Sequence, residues 1–187
     1  MTATTLEALN QADVHPVMEM TQPPAKLLPW LRDKGSLTLK LKALCRRFEV
    51  ELLQEGVGPA VQPGPGWAVG QPIWQRVVLL KLDGVPWVYA ITEVPRVTLE
   101  CSEIDFPNLG NQPLGERLFA SGNLVRGPLQ VCRYGERSSA GIQAKKLGYP
   151  VAEGLWGRQR EFELAGRSLR VSEVFLPPAY ETLLLSA

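Results

Sequence analysis

The chain has 187 residues, 45% hydrophobic and 21% charged, which suits a single soluble domain with a continuous core. Twenty Lys and Arg against nineteen Asp and Glu leave a formal charge of +1, too little for a nucleic-acid or anionic-membrane surface. Cys45, Cys101 and Cys132 form no CxxC unit, which argues against a metal cluster and for reduced thiols in the cytoplasm.

Residues 1–25 read as a poorly ordered leader that ends in Gln22-Pro23-Pro24 and contains the lone His15. It has neither the basic nor the apolar region of a secretion signal, and no apolar run reaches the roughly 20 residues of a membrane span. A first helix holds Leu27, Leu28, Trp30 and Leu31, with Pro29 near its start. After the Asp33-Lys34-Gly35 turn, Ser36 is an N-cap, and Leu37, Leu41, Leu44 and Phe48 recur as one apolar stripe.

Strand signals follow. Phe48 to Leu53 alternates, and a Gly/Pro-rich loop runs from Val57 to Pro72. Trp74 to Leu82 and Trp87 to Val94 flank Asp83-Gly84, a hairpin signal. Pro113 to Ala120 reads as a short helix with proline in its first turn. Leu124 to Arg133 is a strand interrupted by Gly127-Pro128, and Ala140 to Leu147 a brief helix closed by Gly148. Arg160 to Leu164 and Leu169 to Leu176 form a terminal hairpin about Ala165-Gly166. Hairpin-linked strands give a single antiparallel sheet, so the expected class is α+β, with helices packed on one side. The folded domain spans residues 26–180, with 181–187 as a tail.

Two strands carry a charge on an apolar face. Arg76 shares its side of a strand with Val78, Leu80 and Leu82, and Glu173 shares its side with Leu169, Val171 and Phe175. A charge held there needs a partner, because desolvating it alone costs several kcal/mol. Two readings fit: a structural one, in which Arg76 and Glu173 form an ordinary ion pair or reach the sheet rim, and a pocket with a cation at one end and a carboxyl group at the other. The second suits a flat apolar molecule bearing a carboxylate opposite a hydroxyl.

Several segments, in order, resemble the chorismate pyruvate-lyase family. They are Leu28-Pro29-Trp30-Leu31 with Gly35-Ser36-Leu37-Thr38, Trp74-Gln75-Arg76-Val77-Val78-Leu79, and Asp83-Gly84-Val85-Pro86-Trp87. Leu109 to Phe119 follows, then Leu155-Trp156-Gly157-Arg158, and finally Ser172-Glu173-Val174-Phe175-Leu176-Pro177. The likeness runs from about residue 26 to 180. Leu37 stands where some members have Met, and the stretch from Glu136 to Glu153 is longer than in the family pattern.

The resemblance implies a carbon–oxygen lyase that takes pyruvate from chorismate and leaves 4-hydroxybenzoate for ubiquinone or plastoquinone synthesis. It implies neither metal nor organic cofactor, and a cytoplasmic monomer without nucleic-acid or membrane partners. Arg76 would bind the ring carboxylate and Glu173 the ring hydroxyl, both as catalytic residues. Leu37 and Leu114 would add substrate-binding backbone groups and apolar walls. Leu114 lies in the first turn of a predicted helix, whose free N–H groups favour an anion. Arg126, Arg133 and Arg158 are candidates for the enolpyruvyl carboxylate, with none singled out, and the two N-terminal helices are expected to act as a flap.

The competing reading is a non-catalytic sensor for a small aromatic ligand. The same fold resembles the effector domain of certain bacterial regulators, and fold alone does not establish catalysis. Such a regulator needs a DNA-binding domain, for which the leader is expected to be too short.

Overall fold

The computed structural model of the protein describes residues 22–185. Helix α1 (Leu28–Leu31) and helix α2 (Leu37–Lys42) lead into strands β1 (Phe48–Pro59), β2 (Pro72–Leu82) and β3 (Val85–Pro95). Helix α3 (Arg96–Cys101), a 3-10 turn (Phe106–Asn108) and helix α4 (Leu114–Ala120) cross to strand β4 (Leu124–Tyr134). Helix α5 (Ser139–Lys146), strands β5 (Leu155–Leu164) and β6 (Arg167–Phe175) and helix α6 (Pro177–Leu185) complete the chain.

The six strands make one antiparallel sheet in the order β1-β2-β3-β6-β5-β4. Both expected hairpins form around two-residue turns. Asp83 and Gly84 have φ of 49° and 85°, and Ala165 and Gly166 have 50° and 74°. This left-handed pair matches the twist of the flanking strands. The Asp83 carboxylate also accepts hydrogen bonds from the backbone N–H groups of Arg46 and Arg47, which ties the start of β1 to the β2–β3 turn.

The helices cover both faces of the sheet, not one. On the first face, Leu31, Leu37 and Leu41 pack against Val78, Leu80, Val88 and Phe175. On the second, Ala140 and Ala144 of α5 pack with Val77, Leu79, Tyr89 and Val174. The reason is visible in β2, where consecutive residues from Ile73 to Leu80 are all buried. A strand apolar on both sides needs cover on both sides.

Other expectations are corrected locally. Helix α2 stops at Lys42, and Leu44 is 50% exposed and not on the buried stripe. Helix α3 and the 3-10 turn were not anticipated. Residues 181–185, expected as tail, continue α6, whose Ala179 and Tyr180 pack into the core. Most of the expected leader, with His15, lies outside the described residues.

Gly157 is fixed by close approach. A Cβ there would lie 2.7 Å from the Glu173 carbonyl oxygen, 2.8 Å from Tyr134 Cε2 and 3.0 Å from Val174 Cα. These are backbone atoms and a fully buried ring, which cannot yield cheaply. Gly157→Ala is therefore expected to cost about 1–3 kcal/mol and lower Tm by several degrees in calorimetry. Gly122→Ala, with nothing within 4 Å, is expected to leave Tm nearly unchanged.

Candidate active site

The first face of the sheet carries the candidate site, and strand register assembles it. Glu55, Arg76, Thr92, Val171, Arg160 and Leu129 form one row across all six strands. The neighbouring row holds Val78, Ala90, Glu173, Arg158 and Val131. Helix α2, the turn before it and helix α4 roof these rows. They enclose about 760 Å³ of empty space, its open mouth included, lined by Arg76, Arg158, Arg160, Glu173 and Asp33 among apolar side chains.

All four residues expected in the site line this cavity: Leu37, Arg76, Leu114 and Glu173. Arg76 and Glu173 do not pair with each other. Arg76 is 2% exposed and donates from Nη1 to Glu55 Oε2 at 2.6 Å, and from Nη2 to the Gly110 carbonyl at 2.5 Å. Glu55 reaches this position through a β-bulge. The register slips between Leu52 and Gln54, so Glu55 and not Gln54 stands opposite Arg76. Alternation read from Phe48 to Leu53 gives no sign of that slip.

Glu173 accepts a hydrogen bond at Oε2 from Arg158 Nε at 2.6 Å. Arg158 is 4% exposed, and its Nη1 also donates to the carbonyls of Trp30 and Asp33, at 3.1 and 2.8 Å. Arg160, two residues on, donates to the carbonyls of Gly127 and Lys34 at 2.8 and 3.1 Å. Strand β5 thus grips the α1–α2 turn through two guanidinium groups. Burial first, and then the guanidiniums of Arg126 and Arg158, hold Arg160 below the usual arginine value, while Glu173 acts the other way.

Of the three arginines considered for a second anionic group, Arg158 lines the cavity. Arg126 lies 4.2 Å over the Phe119 ring, and Arg133 bonds the Glu153 carbonyl and faces Trp156; neither lines the cavity. Arg160, Glu55 and Asp33 went unremarked in the sequence. The test that marked Arg76 finds Arg160 as well: Trp156, Arg158, Arg160 and Phe162 alternate on one side of β5. Trp74 and Trp87 are core residues, and Trp74 packs on Phe106 at 5.6 Å between ring centroids.

Leu37 and Leu114 open the two roof helices. Ser36 Oγ accepts from the Leu39 N–H at the head of α2, whereas Pro113 leaves the head of α4 without a side-chain cap. The helices approach so closely that a Cβ on Gly115 would sit 3.0 Å from Thr38 Oγ1. Among the described residues, no three His, Cys, Asp or Glu side chains converge as a metal site. The cavity presents three guanidiniums and two carboxylates around an apolar floor, an arrangement that can hold a small planar dianion and orient it.

A family model described as Chorismate lyase matches residues 8–184. The chain belongs to the chorismate lyase family. The probable chorismate pyruvate-lyase of Shewanella sp. (strain MR-4) is 40% identical over 161 residues, covering 86% of this chain and 84% of that protein. The one from Aromatoleum aromaticum (strain DSM 19018 / LMG 30748 / EbN1) is 40% identical over 168 residues, covering 84% and 88%. Among solved structures, the effector domain of PhnF from Mycobacterium smegmatis superposes with a TM-score of 0.51 at 17% identity, over 84% of this chain and 93% of that one. A GntR-family regulator from Bacillus cereus gives 0.50 at 14% identity, over 70% and 92%. At such identities the likeness is one of fold: this chorismate lyase shares its sheet and helix arrangement with these regulator structures.

Asp33, in the turn that Arg158 grips, is held below the usual carboxylate value of 3.8. The Lys40 hydrogen bond is the main cause and the Gly35 N–H the next. A depressed folded value means stability that is present above 3.8 and lost as pH falls through the lower folded value. Both partners are about one-third exposed, so the effect is discounted to about 0.5 kcal/mol. In thermal melts from pH 2 to 7, Asp33→Asn is expected to lie slightly below wild type above pH 4 and to converge with it in acid.

Proposed function

We propose that this cavity is where the chorismate lyase eliminates pyruvate from chorismate, with Arg76 and Glu173 as its catalytic pair. The observation that carries the reading is the set of charged groups in two neighbouring rows on an apolar floor: Arg76 in one and Glu173, held by Arg158, in the other. Arg76 takes the ring carboxylate. Glu173 Oε1, which accepts no hydrogen bond among the described residues, takes the ring hydroxyl. Leu37 and Leu114 wall the ring, and the uncapped first turn of α4 adds N–H groups toward the carboxylate.

Chorismate is a cyclohexadiene with a ring carboxylate, a hydroxyl and an enolpyruvyl ether. The ring-carbon–oxygen bond to the enolpyruvyl arm breaks, and a proton leaves the hydroxyl-bearing carbon. The ring becomes aromatic as 4-hydroxybenzoate, and the departing enolpyruvate takes up a proton to become pyruvate. Aromatisation supplies the driving force, so the protein's part is to freeze the ether arm and manage one proton in a dry pocket. Glu173 either accepts that proton or only positions the hydroxyl while the arm takes it. The product feeds quinone synthesis. Near-neutral charge and three free thiols fit a cytoplasmic monomer that meets neither nucleic acid nor membrane.

The test is turnover of chorismate by chelator-treated protein, with 4-hydroxybenzoate and pyruvate quantified together. Wild type is expected to form both in equal amounts. Arg76→Ala should lower kcat/KM by roughly 10²–10³-fold, as expected when one partner of a buried charge pair is removed. Glu173→Gln separates the two roles. A loss of roughly 10² or more in kcat with 4-hydroxybenzoate binding retained assigns the proton to Glu173, and a loss under about tenfold assigns it only positioning. Tight binding of 4-hydroxybenzoate without turnover would instead make the chain a sensor.

In this reading the α1–α2 roof acts as a flap, which opens by releasing the Trp30, Asp33 and Lys34 carbonyls from β5. Hydrogen exchange in residues 26–48 is expected to slow on adding 4-hydroxybenzoate. Unchanged exchange there would rule the flap out.

A further inference from the structure

The three cavity arginines are not equivalent in charge. Arg76 is neutralised by Glu55 and Arg158 by Glu173, each at 2.6 Å. Among the described residues Arg160 makes no ion pair with a carboxylate: its hydrogen bonds reach the carbonyls of Gly127 and Lys34. The nearby charges that bear on it include two further guanidiniums, Arg126 and Arg158. A half-buried cation among cations is costly unless an anion joins it. The nearby carboxylate of Glu173 acts the other way, but it is bonded to Arg158 at 2.6 Å and not to Arg160, and Arg160 lines the cavity. Arg160 Nη2 and Arg158 Nη2 donate to nothing among the described residues, so two guanidinium edges remain for one guest.

Register sets the span. Arg76 and Arg160 occupy the same row, separated only by Thr92 and Val171. Three strand spacings place their backbones roughly 14 Å apart, and both side chains line the same cavity as Thr92 and Val171 between them. That gap suits one six-membered ring with anionic groups at its two ends. If Arg76 holds the ring carboxylate, the arm leaving the ring on the β5 side reaches Arg160.

We infer that Arg160, assisted by the free edge of Arg158, is the binding site for the enolpyruvyl carboxylate of the substrate. The inference rests on the proposed reading of the cavity and assigns the one charged group of chorismate that the reading leaves without a partner. It also gives the elimination a handle. Fixing the arm's carboxylate fixes rotation about the ether, the freedom that most needs removing before the bond can break. Once pyruvate leaves, Arg160 loses its counterion, and the remaining 4-hydroxybenzoate offers nothing to replace it.

The product lacks this second carboxylate, and that difference supplies the test. In steady-state kinetics Arg160→Gln is expected to raise the KM for chorismate about tenfold or more, the loss of a charge-assisted hydrogen bond. Its affinity for 4-hydroxybenzoate, measured by calorimetric titration, should stay within about twofold of wild type, which also reports an intact fold. Arg160→Lys keeps the charge and should recover part of the loss. Support requires the chorismate effect to exceed the 4-hydroxybenzoate effect at least about fivefold. A smaller ratio overturns the assignment and makes Arg160 only a latch on the Lys34 carbonyl, since loosening the roof weakens both ligands alike. Failure of wild type to release pyruvate from chorismate would bring down the reading of the cavity itself, and this assignment with it.

Discussion

Burying guanidinium groups on an apolar sheet face is the constraint around which the rest of the structure is arranged. Arg76 and Arg158 are almost wholly removed from water, and a cation in that position is costly unless charge and hydrogen bonds surround it. Each is given one carboxylate and two backbone carbonyls. Replacing such pairs with hydrocarbon is often neutral or favourable for stability. Their presence in the centre of a sheet is therefore not accounted for by stability alone.

The fold meets this constraint with irregularities, not with regular strands. The bulge in β1 turns Glu55 to the side of Arg76, and the register slip in β4 at Gly127-Pro128 leaves a carbonyl for Arg160. Both lie at or beside the sheet's outer strands, where an extra residue disturbs the least pairing. The same guanidiniums hold the roof. Because Arg158 binds Glu173 and the α1–α2 turn together, the orientation of a site carboxylate and closure of the cavity are one event. The two-layer cover completes the arrangement: α5 covers the far face, so that β2 is buried on both sides from Ile73 to Leu80.

The shared architecture with regulator effector domains shows which part of the molecule is general. The six-stranded order and its hairpins are the shared part, and a shared fold does not by itself carry a function.

The sequence by itself determined the local grammar. Asp83-Gly84 and Ala165-Gly166 set both hairpins, Ser36 and Pro113 opened the roof helices, and period-two alternation marked Arg76 and Glu173 as charges on an apolar face. The family resemblance then joined them to one ligand. Only the tertiary structure decided their partners: Glu55 for Arg76, Arg158 for Glu173 and, among the described residues, backbone carbonyls without an ion pair for Arg160. Alternation tells which side of its own strand a residue faces, but not which strand lies alongside or in what register. The β3–β6 pairing and the β1 slip are long-range choices, fixed by packing on both faces, and a one-residue shift there exchanges every neighbour. For that reason helix α5 on the far face and the arginine without an ion pair among the described residues were out of reach of the sequence alone.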